Sequence, residues 1–123
     1  LFLLKLMAGR KISGGKYHKK RKKKLFEMPG KVRVVKLGEK KTKSLRVRGG
    51  AIKTVTLSHN IMNIVMAGKV KKAKIKNVIE TPSNRFLARQ NILVKSAIVD
   101  TDLGKARITN RPSQEGQVQG VLI

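Results

Sequence analysis

The sequence predicts a mainly β chain: a small closed barrel or sandwich of short strands, one short helix, and an extended basic N-terminal arm. Three observations carry this. Beyond residue 30, short segments alternate apolar and polar side chains, the period of a half-buried strand. Gly, Pro, Asn and Asp interrupt them at short spacings, as in all-β domains. Helix-start chemistry stands out at Thr81-Pro82-Ser83-Asn84, with Thr81 as N-cap and Pro82 at the first helical position.

Residues 1–30 form the arm and 31–123 the body. Leu1 to Leu6 is apolar but far short of the roughly 20 residues that cross a bilayer. Met7 followed by Ala8-Gly9 reads as a start, which makes residues 1–6 an upstream extension; the other reading is a short tail that docks on a neighbour. Gly14 and Gly15 permit positive φ and close approach to a phosphate. Pro29-Gly30 reads as a turn that closes the arm.

Lys31 to Leu37 is near-alternating, with Val32 and Val34 on one face and Lys31 and Arg33 on the other. Gly38 to Ser44 reads as a basic loop and Leu45 to Arg48 as a short strand ended by Gly49-Gly50. Ile52, Val55 and Leu57 mark a third strand, with a phase change between Ile52 and Val55 that points to a bulge. Ile61 to Met66 follows, stopped by Ala67-Gly68-Lys69. Val70 to Ile79 puts Lys72, Lys74 and Lys76 on one parity and Ala73, Ile75 and Asn77 on the other, a strand with one basic face. The helix is expected over Pro82 to about Arg89, with Phe86 in the core. Ile92 to Val94, Ala97 to Thr101, Ala106 to Thr109 and Gln117 to Ile123 complete the strands, separated by turns at Asp102-Leu103-Gly104 and Asn110 to Gly116. Aromatics are only 3% of the chain, so its core is built from Val, Ile, Leu, Ala and Met.

Charge points to the partner. Lys and Arg number 30 against 6 Asp and Glu, a formal net charge of +24. Small designed domains are kept near a magnitude of about 2–8. Residues 1–60 hold 19 basic and 2 acidic residues, a balance of +17; residues 61–123 hold 11 and 4, a balance of +7. Seven of the nine residues from Lys16 to Lys24 are Lys or Arg. Such a run repels itself and stays extended until a polyanion lies alongside; nucleic acid is the first candidate.

Catalytic and metal chemistry find little support. There is no Cys, which excludes disulfides and Cys-ligated zinc. His18 lies in the basic run, where it stacks on a base, pairs with phosphate or is solvated; His59 lies at an expected turn. Asp100 and Asp102, two apart, would share one strand face. A structural ion pair or turn role fits them better than acid–base work, with Arg107 or Arg111 as neutralising partners. Glu80 reads as a local partner for lysines. Gly14-Gly15-Lys16 lacks the spacing of a phosphate-binding loop.

Nucleic-acid contacts are well supplied. Lys11, Lys16, Lys19, Lys20, Lys22, Lys23, Lys24 and Lys53 are candidate phosphate contacts, which give affinity with little sequence preference. Arg10, Arg21, Arg46 and Arg48 add bidentate geometry, and Arg85, Arg89 and Arg111 complete the candidate contacts. Tyr17 could stack on an unpaired base. Few aromatics leave backbone and shape recognition of folded RNA as the better fit.

Arg10-Lys11-Ile12-Ser13-Gly14-Gly15, then Arg21-Lys22-Lys23 and Glu27, resembles the N-terminal signature of the ribosomal protein S8e family of archaeal and eukaryotic small subunits. Ser13 stands in place of the family's Thr, Pro29 where Gly commonly follows, and Ala51 in place of an Asn. The likeness continues through Arg48-Gly49-Gly50, Thr81-Pro82-Ser83-Asn84-Arg85, Arg89-Gln90-Asn91-Ile92, Asp102-Leu103-Gly104-Lys105-Ala106-Arg107 and Thr109-Asn110-Arg111-Pro112, with Gly116 and Val121-Leu122-Ile123. It implies a small β-barrel with an extended basic arm, bound to small-subunit rRNA and neighbouring small-subunit proteins in the cytoplasm. The compact length is similar to that of archaeal members. It implies no cofactor, metal, catalytic residue, membrane or small-molecule substrate. A chromatin-type protein coating duplex DNA is the second reading, and an RNA-modifying or cleaving enzyme that depends on Asp100 or Asp102 the third.

Overall fold

The computed structural model describes residues 9–18 and 20–123, so the expected extension at 1–6 and the candidate Lys19 lie outside the described residues. The chain divides into two compact units, Leu1–Lys31 and Val32–Ile123.

The first unit is held by local hydrogen bonds. Lys11 N–H donates to Gly15 O (2.8 Å), Gly14 N–H to Lys11 O (2.9 Å), and Arg10 bridges Lys16. Gly14 makes this turn with φ +81°, a value that disfavours any Cβ. A 3-10 turn follows at Leu25–Glu27. Pro29-Gly30, expected as the closing turn, has no turn geometry; the chain has already turned at Leu25–Glu27.

The second unit carries eight strands. A three-stranded sheet comprises β1 (Lys36–Leu37), β2 (Lys41–Arg46) and β3 (Ile52–His59) in the order β1-β3-β2. A closed barrel runs β4 (Ile61–Met66), β5 (Lys69–Glu80), β6 (Ile98–Thr101), β7 (Gly104–Ile108) and β8 (Gln119–Leu122), with β8 parallel to β4 at the closure. A short helix, α1 (Arg85–Arg89), joins β5 to the segment before β6.

Barrel closure depends on β5. Its first half pairs with β4 and its second with β6, and two register shifts, at Ile75/Asn77 and Val78/Glu80, separate the regular pairings. Each leaves one residue unpaired, which bends a strand and raises its twist. The first also flips the inward parity: Ala73 and Ile75 are buried, then Val78 instead of Asn77. Between β4 and β5 a two-residue hairpin loop turns through Ala67 (φ 47°) and Gly68 (φ 77°).

Met62, Ile64, Leu93, Val99, Ala106, Ile108 and Val118 join these inward residues in a core with no aromatic among the described residues, as the composition predicts. At Gly120 a Cβ would stand 2.5 Å from Arg107 O and 2.7 Å from Met62 Cε, so β8 can pass there only as glycine.

Several sequence expectations change. The first strand shrinks to Lys36–Leu37, and its parity reverses: Val35 is buried while Val32 is 89% exposed. Its hydrogen bonds come from afar, Leu93 N–H to Val35 O (2.9 Å) and Leu37 N–H to Asn91 O (3.1 Å). Lys41–Ser44, expected as loop, is strand because β3 offers it a partner; Val47 and Arg48 leave the strand. The irregularity in β3 falls at Leu57, skipped between the pairs Lys41↔Ser58 and Thr42↔Thr56, instead of between Ile52 and Val55. Ile92 to Val94 contributes one isolated bridge, not a strand.

The helix starts at Arg85, with Asn84 as its cap: Asn84 Oδ1 accepts from Phe86 N–H at 3.0 Å. Thr81 is buried and Pro82-Ser83 form a preceding turn. At the other end Ile92 N–H donates to Leu87 O and Asn91 N–H to Ala88 O, a Schellman ending with Asn91 at φ 52°. Phe86, expected in the core, is 55% exposed.

Candidate nucleic-acid interface

The candidate contacts divide between the two units. In the first, Arg10, Lys11, Lys16, Tyr17, His18, Lys20, Arg21, Lys22, Lys23 and Lys24 are all exposed. Two of the arginines are partly engaged. Arg10 Nη1 donates to Gly14 O (3.0 Å), which stiffens the turn. Arg21 forms a bidentate pair with Glu27, at 2.9 and 2.6 Å. Glu27 also accepts from Lys24 N–H at 2.9 Å. Arg21 and then this N–H hold its carboxyl below the usual carboxylate range. Glu27 therefore orients one guanidinium and shapes the basic segment, and it removes one positive charge from the free surface.

In the second unit the β2–β3 hairpin concentrates cations. Lys41, Lys43 and Arg46 lie exposed on β2, an edge strand, where charge also blocks pairing with another chain. Arg48 stands at the turn Arg48–Gly50, whose Gly49 and Gly50 have φ 85° and 81°. Lys53 is half-buried and its ammonium hydrogen-bonds Gln114 Oε1, so it also fastens the loop 110–116 to β3. That loop is tied further by Thr56 Oγ1 donating to Glu115 O (2.7 Å) and by Arg33 Nε donating to Ser113 O (3.1 Å). Arg111 opens the loop and is exposed.

On α1 the structure brings Arg85 and Arg89 together over Phe86, with guanidinium carbons 5.5 and 5.8 Å from the ring centre. Both distances are within cation–π range. An exposed ring flanked by two planar cations is suited to stacking a base while its phosphates meet the guanidiniums. The exposure of the ring is not legible in the sequence, because an aromatic beside apolar Leu87 and Ala88 has the appearance of a core residue. The expected basic face of β5 is present: Lys72, Lys74 and Lys76 are exposed.

His59 is not at an open turn. It ends β3, is 6% exposed, and its Nδ1 accepts from Ile61 N–H at 2.9 Å. Burial, and then the charge of Lys40, push its pKa down. Asp102 sits in the β6–β7 turn and pairs with Lys76 at 3.5 Å, rather than with an arginine, while Asp100 stays on β6. Glu80 has no ion-pair partner among the described residues. No group of His, Asp and Glu among the described residues could hold a metal ion, and no described helix is long and apolar enough to cross a membrane.

A family model described as ribosomal protein S8e matches residues 7–123. The chain is 44% identical over 116 residues to the small ribosomal subunit protein eS8 of Nanoarchaeum equitans (strain Kin4-M), covering 93% of this chain and 91% of the relative. It is 44% identical over 117 residues to the protein of that name from Sulfurisphaera tokodaii, covering 93% and 91%. To the protein of that name from Methanocorpusculum labreanum it is 40% identical over 116 residues, covering 93% of each.

Proposed function

Because this chain belongs to the ribosomal protein S8e family, we propose that it is a structural constituent of the small ribosomal subunit that binds and stabilises folded rRNA, chiefly through backbone phosphates. It works in the cytoplasm within that subunit, beside neighbouring subunit proteins, and supports assembly and translation without catalysing a reaction.

The family match over residues 7–123 carries the reading. Charge supplies the physical mechanism. Residues 1–30 act as the arm and 31–123 as the rRNA-binding body. A net +24 costs self-repulsion in the free protein, and neutralisation by phosphate relieves it while releasing counterions. The arm contributes Arg10, Lys11, Lys16, Tyr17, His18, Lys19, Lys20, Arg21 and Lys22–Lys24. The body contributes Arg46, Arg48, Lys53, Arg85, Arg89 and Arg111, with Phe86 as a platform for an unpaired base.

Sedimentation of a cell lysate through a sucrose gradient at moderately high salt tests the reading. Comigration with the small subunit is expected. Recovery only in free or DNA-bound fractions would overturn it and favour the duplex-DNA reading. Within the complex, replacing Lys20, Lys22, Lys23 and Lys24 by Ala should weaken rRNA binding by at least tenfold. It should also lower the salt slope by roughly 0.7–0.9 for each phosphate that is no longer neutralised. An unchanged slope would remove the arm from the interface.

A further inference from the structure

A cavity of about 270 Å³ opens between the end of β3, strands β4 and β5, and the segment leading into β8. Its polar lining is Lys40, His59, Asn63, Lys72 and Gln117. Two of these are lysines, two are amides, one is a buried imidazole, and no carboxylate lines it. We infer that this cavity is a phosphate-binding site, occupied in the working protein by one backbone phosphodiester of the bound rRNA. The source of the phosphate rests on the proposed function; the anion chemistry does not.

The imidazole is the part that looks built. Ile61 N–H donates to Nδ1, so the neutral ring carries its proton on Nε2. That N–H has no hydrogen-bond partner among the described residues, yet it is not sealed away as the hydroxyl of Thr81 is. A donor held at a cavity wall, with its tautomer set by the backbone behind it, is ready for an anionic oxygen. Lys40, on the loop before β2, and Lys72, on β5, add charge from two sides. Asn63 stands directly opposite Lys72 in the β4–β5 ladder, which places an amide beside that ammonium.

Other charges near His59 do not compete. Glu39 precedes Lys40 but does not line the cavity. Glu115 lines an adjoining depression that shares Lys40 and Gln117 and also includes Lys53, and its carboxylate is held by Asn110 Nδ2 at 2.8 Å. An anion in the cavity therefore offsets the repulsion of Lys40 on the ring. Binding of a phosphodiester, which does not itself titrate in this range, should take up a proton and strengthen as pH falls through the imidazole range.

Nuclear magnetic resonance of the full chain, titrated with inorganic phosphate at constant ionic strength, tests this. His59 ring signals should shift saturably and its pKa should rise, while His18 in the arm serves as the reference for diffuse anion binding. Combining Lys40→Ala with Lys72→Ala should weaken phosphate at least tenfold, whereas Lys95→Ala, which removes an exposed lysine that does not line the cavity, should not. The double variant should also lose affinity for small-subunit rRNA and lower its salt slope. Fixed His59 signals, or equal shifts at His18 and His59, would overturn the site. If the native chain binds rRNA and the double variant matches Lys95→Ala, the cavity inference fails and the proposed function stands. If phosphate titrates His59 but rRNA does not bind, the assignment to rRNA fails and a site for free phosphate remains.

Discussion

The barrel and the three-stranded sheet are made from similar residues, yet different forces hold them. Every barrel strand has two neighbours, because β8 closes on β4. Its inward side chains form a continuous aliphatic core, and closure leaves no edge. The sheet has two edges, and its buried side chains, Val55, Thr56 and His59, are all on β3; β1 and β2 bury none. It is fixed by hydrogen bonds to the loop 110–116 and, through β1, to Asn91–Leu93. The closed region leaves stability to apolar packing, while the open one keeps its cations exposed for a partner.

Gly120→Ala should separate the two regions most sharply. The new Cβ meets backbone at 2.5 Å, which no rotamer change relieves. Overpacking costs typically about 1–3 kcal/mol, and with backbone in the way the upper end is expected. Thermal unfolding should show the midpoint falling by roughly 10 °C or more. A near-native midpoint would mean that the barrel yields more readily than its closure implies.

In the β2–β3 hairpin, replacing Arg46 on the strand and Arg48 at the turn together by Ala should leave that midpoint almost unmoved, since both are exposed. Affinity for rRNA should fall about tenfold, as expected when charge-assisted hydrogen bonds are removed. A binding isotherm at fixed salt checks this, and loss of stability in place of affinity would reverse the contrast.

Thr56→Val removes one of the bonds that fix the sheet. Glu115 O keeps the Thr56 N–H at 3.0 Å, so the carbonyl is not orphaned. The cost should be about 0.5–1.5 kcal/mol by urea unfolding. A larger loss would show that the hydroxyl, not the backbone, holds the loop.

The smallest expected effect is that of pH on His59. Its folded pKa lies below the ordinary 6.5, so the ring is neutral in both states above that value. As pH falls below 6.5 the unfolded chain takes up the proton first. Stability should decline through that window and level off below the folded value. Urea midpoints at about pH 7.5 and about pH 5.5, roughly one unit either side of the ordinary pKa, in buffers without phosphate, measure it. His59→Gln should flatten the difference; an unchanged difference would assign the pH dependence to other groups.

What could be read in the sequence depended on how local the cause was. Strand β4 emerged with its full bounds because Ile61–Met66 is a β-rich run followed by a turn dipeptide. The length of β5 was nearly legible, but its parity change at Asn77 was not, since a bulge arises from reconciling two different neighbours. The helix is legible in the sequence but its start is not, because Thr81 and Asn84 are both good caps and only the structure shows Asn84 accepting from Phe86 N–H while Thr81 is buried. Among the candidate contacts, the run of cations from Lys16 to Lys24 is plain in the sequence. The exposure of the Phe86 ring beside Arg85 and Arg89 and the cavity shared by Lys40, His59 and Lys72 are not, as exposure and convergence are not written in spacing.

By itself the sequence determined the net charge, the absence of cysteine chemistry, the aliphatic character of the core and the segments fit to be strands. Each follows from composition or from a period-two pattern within a few residues. Tertiary structure alone decided that β8 closes onto β4, that Val35 and not Val34 turns inward, and that His59 lines one cavity with Lys40 and Lys72. These depend on backbone hydrogen bonds between segments tens of residues apart. A single register step there exchanges the buried face for the exposed one.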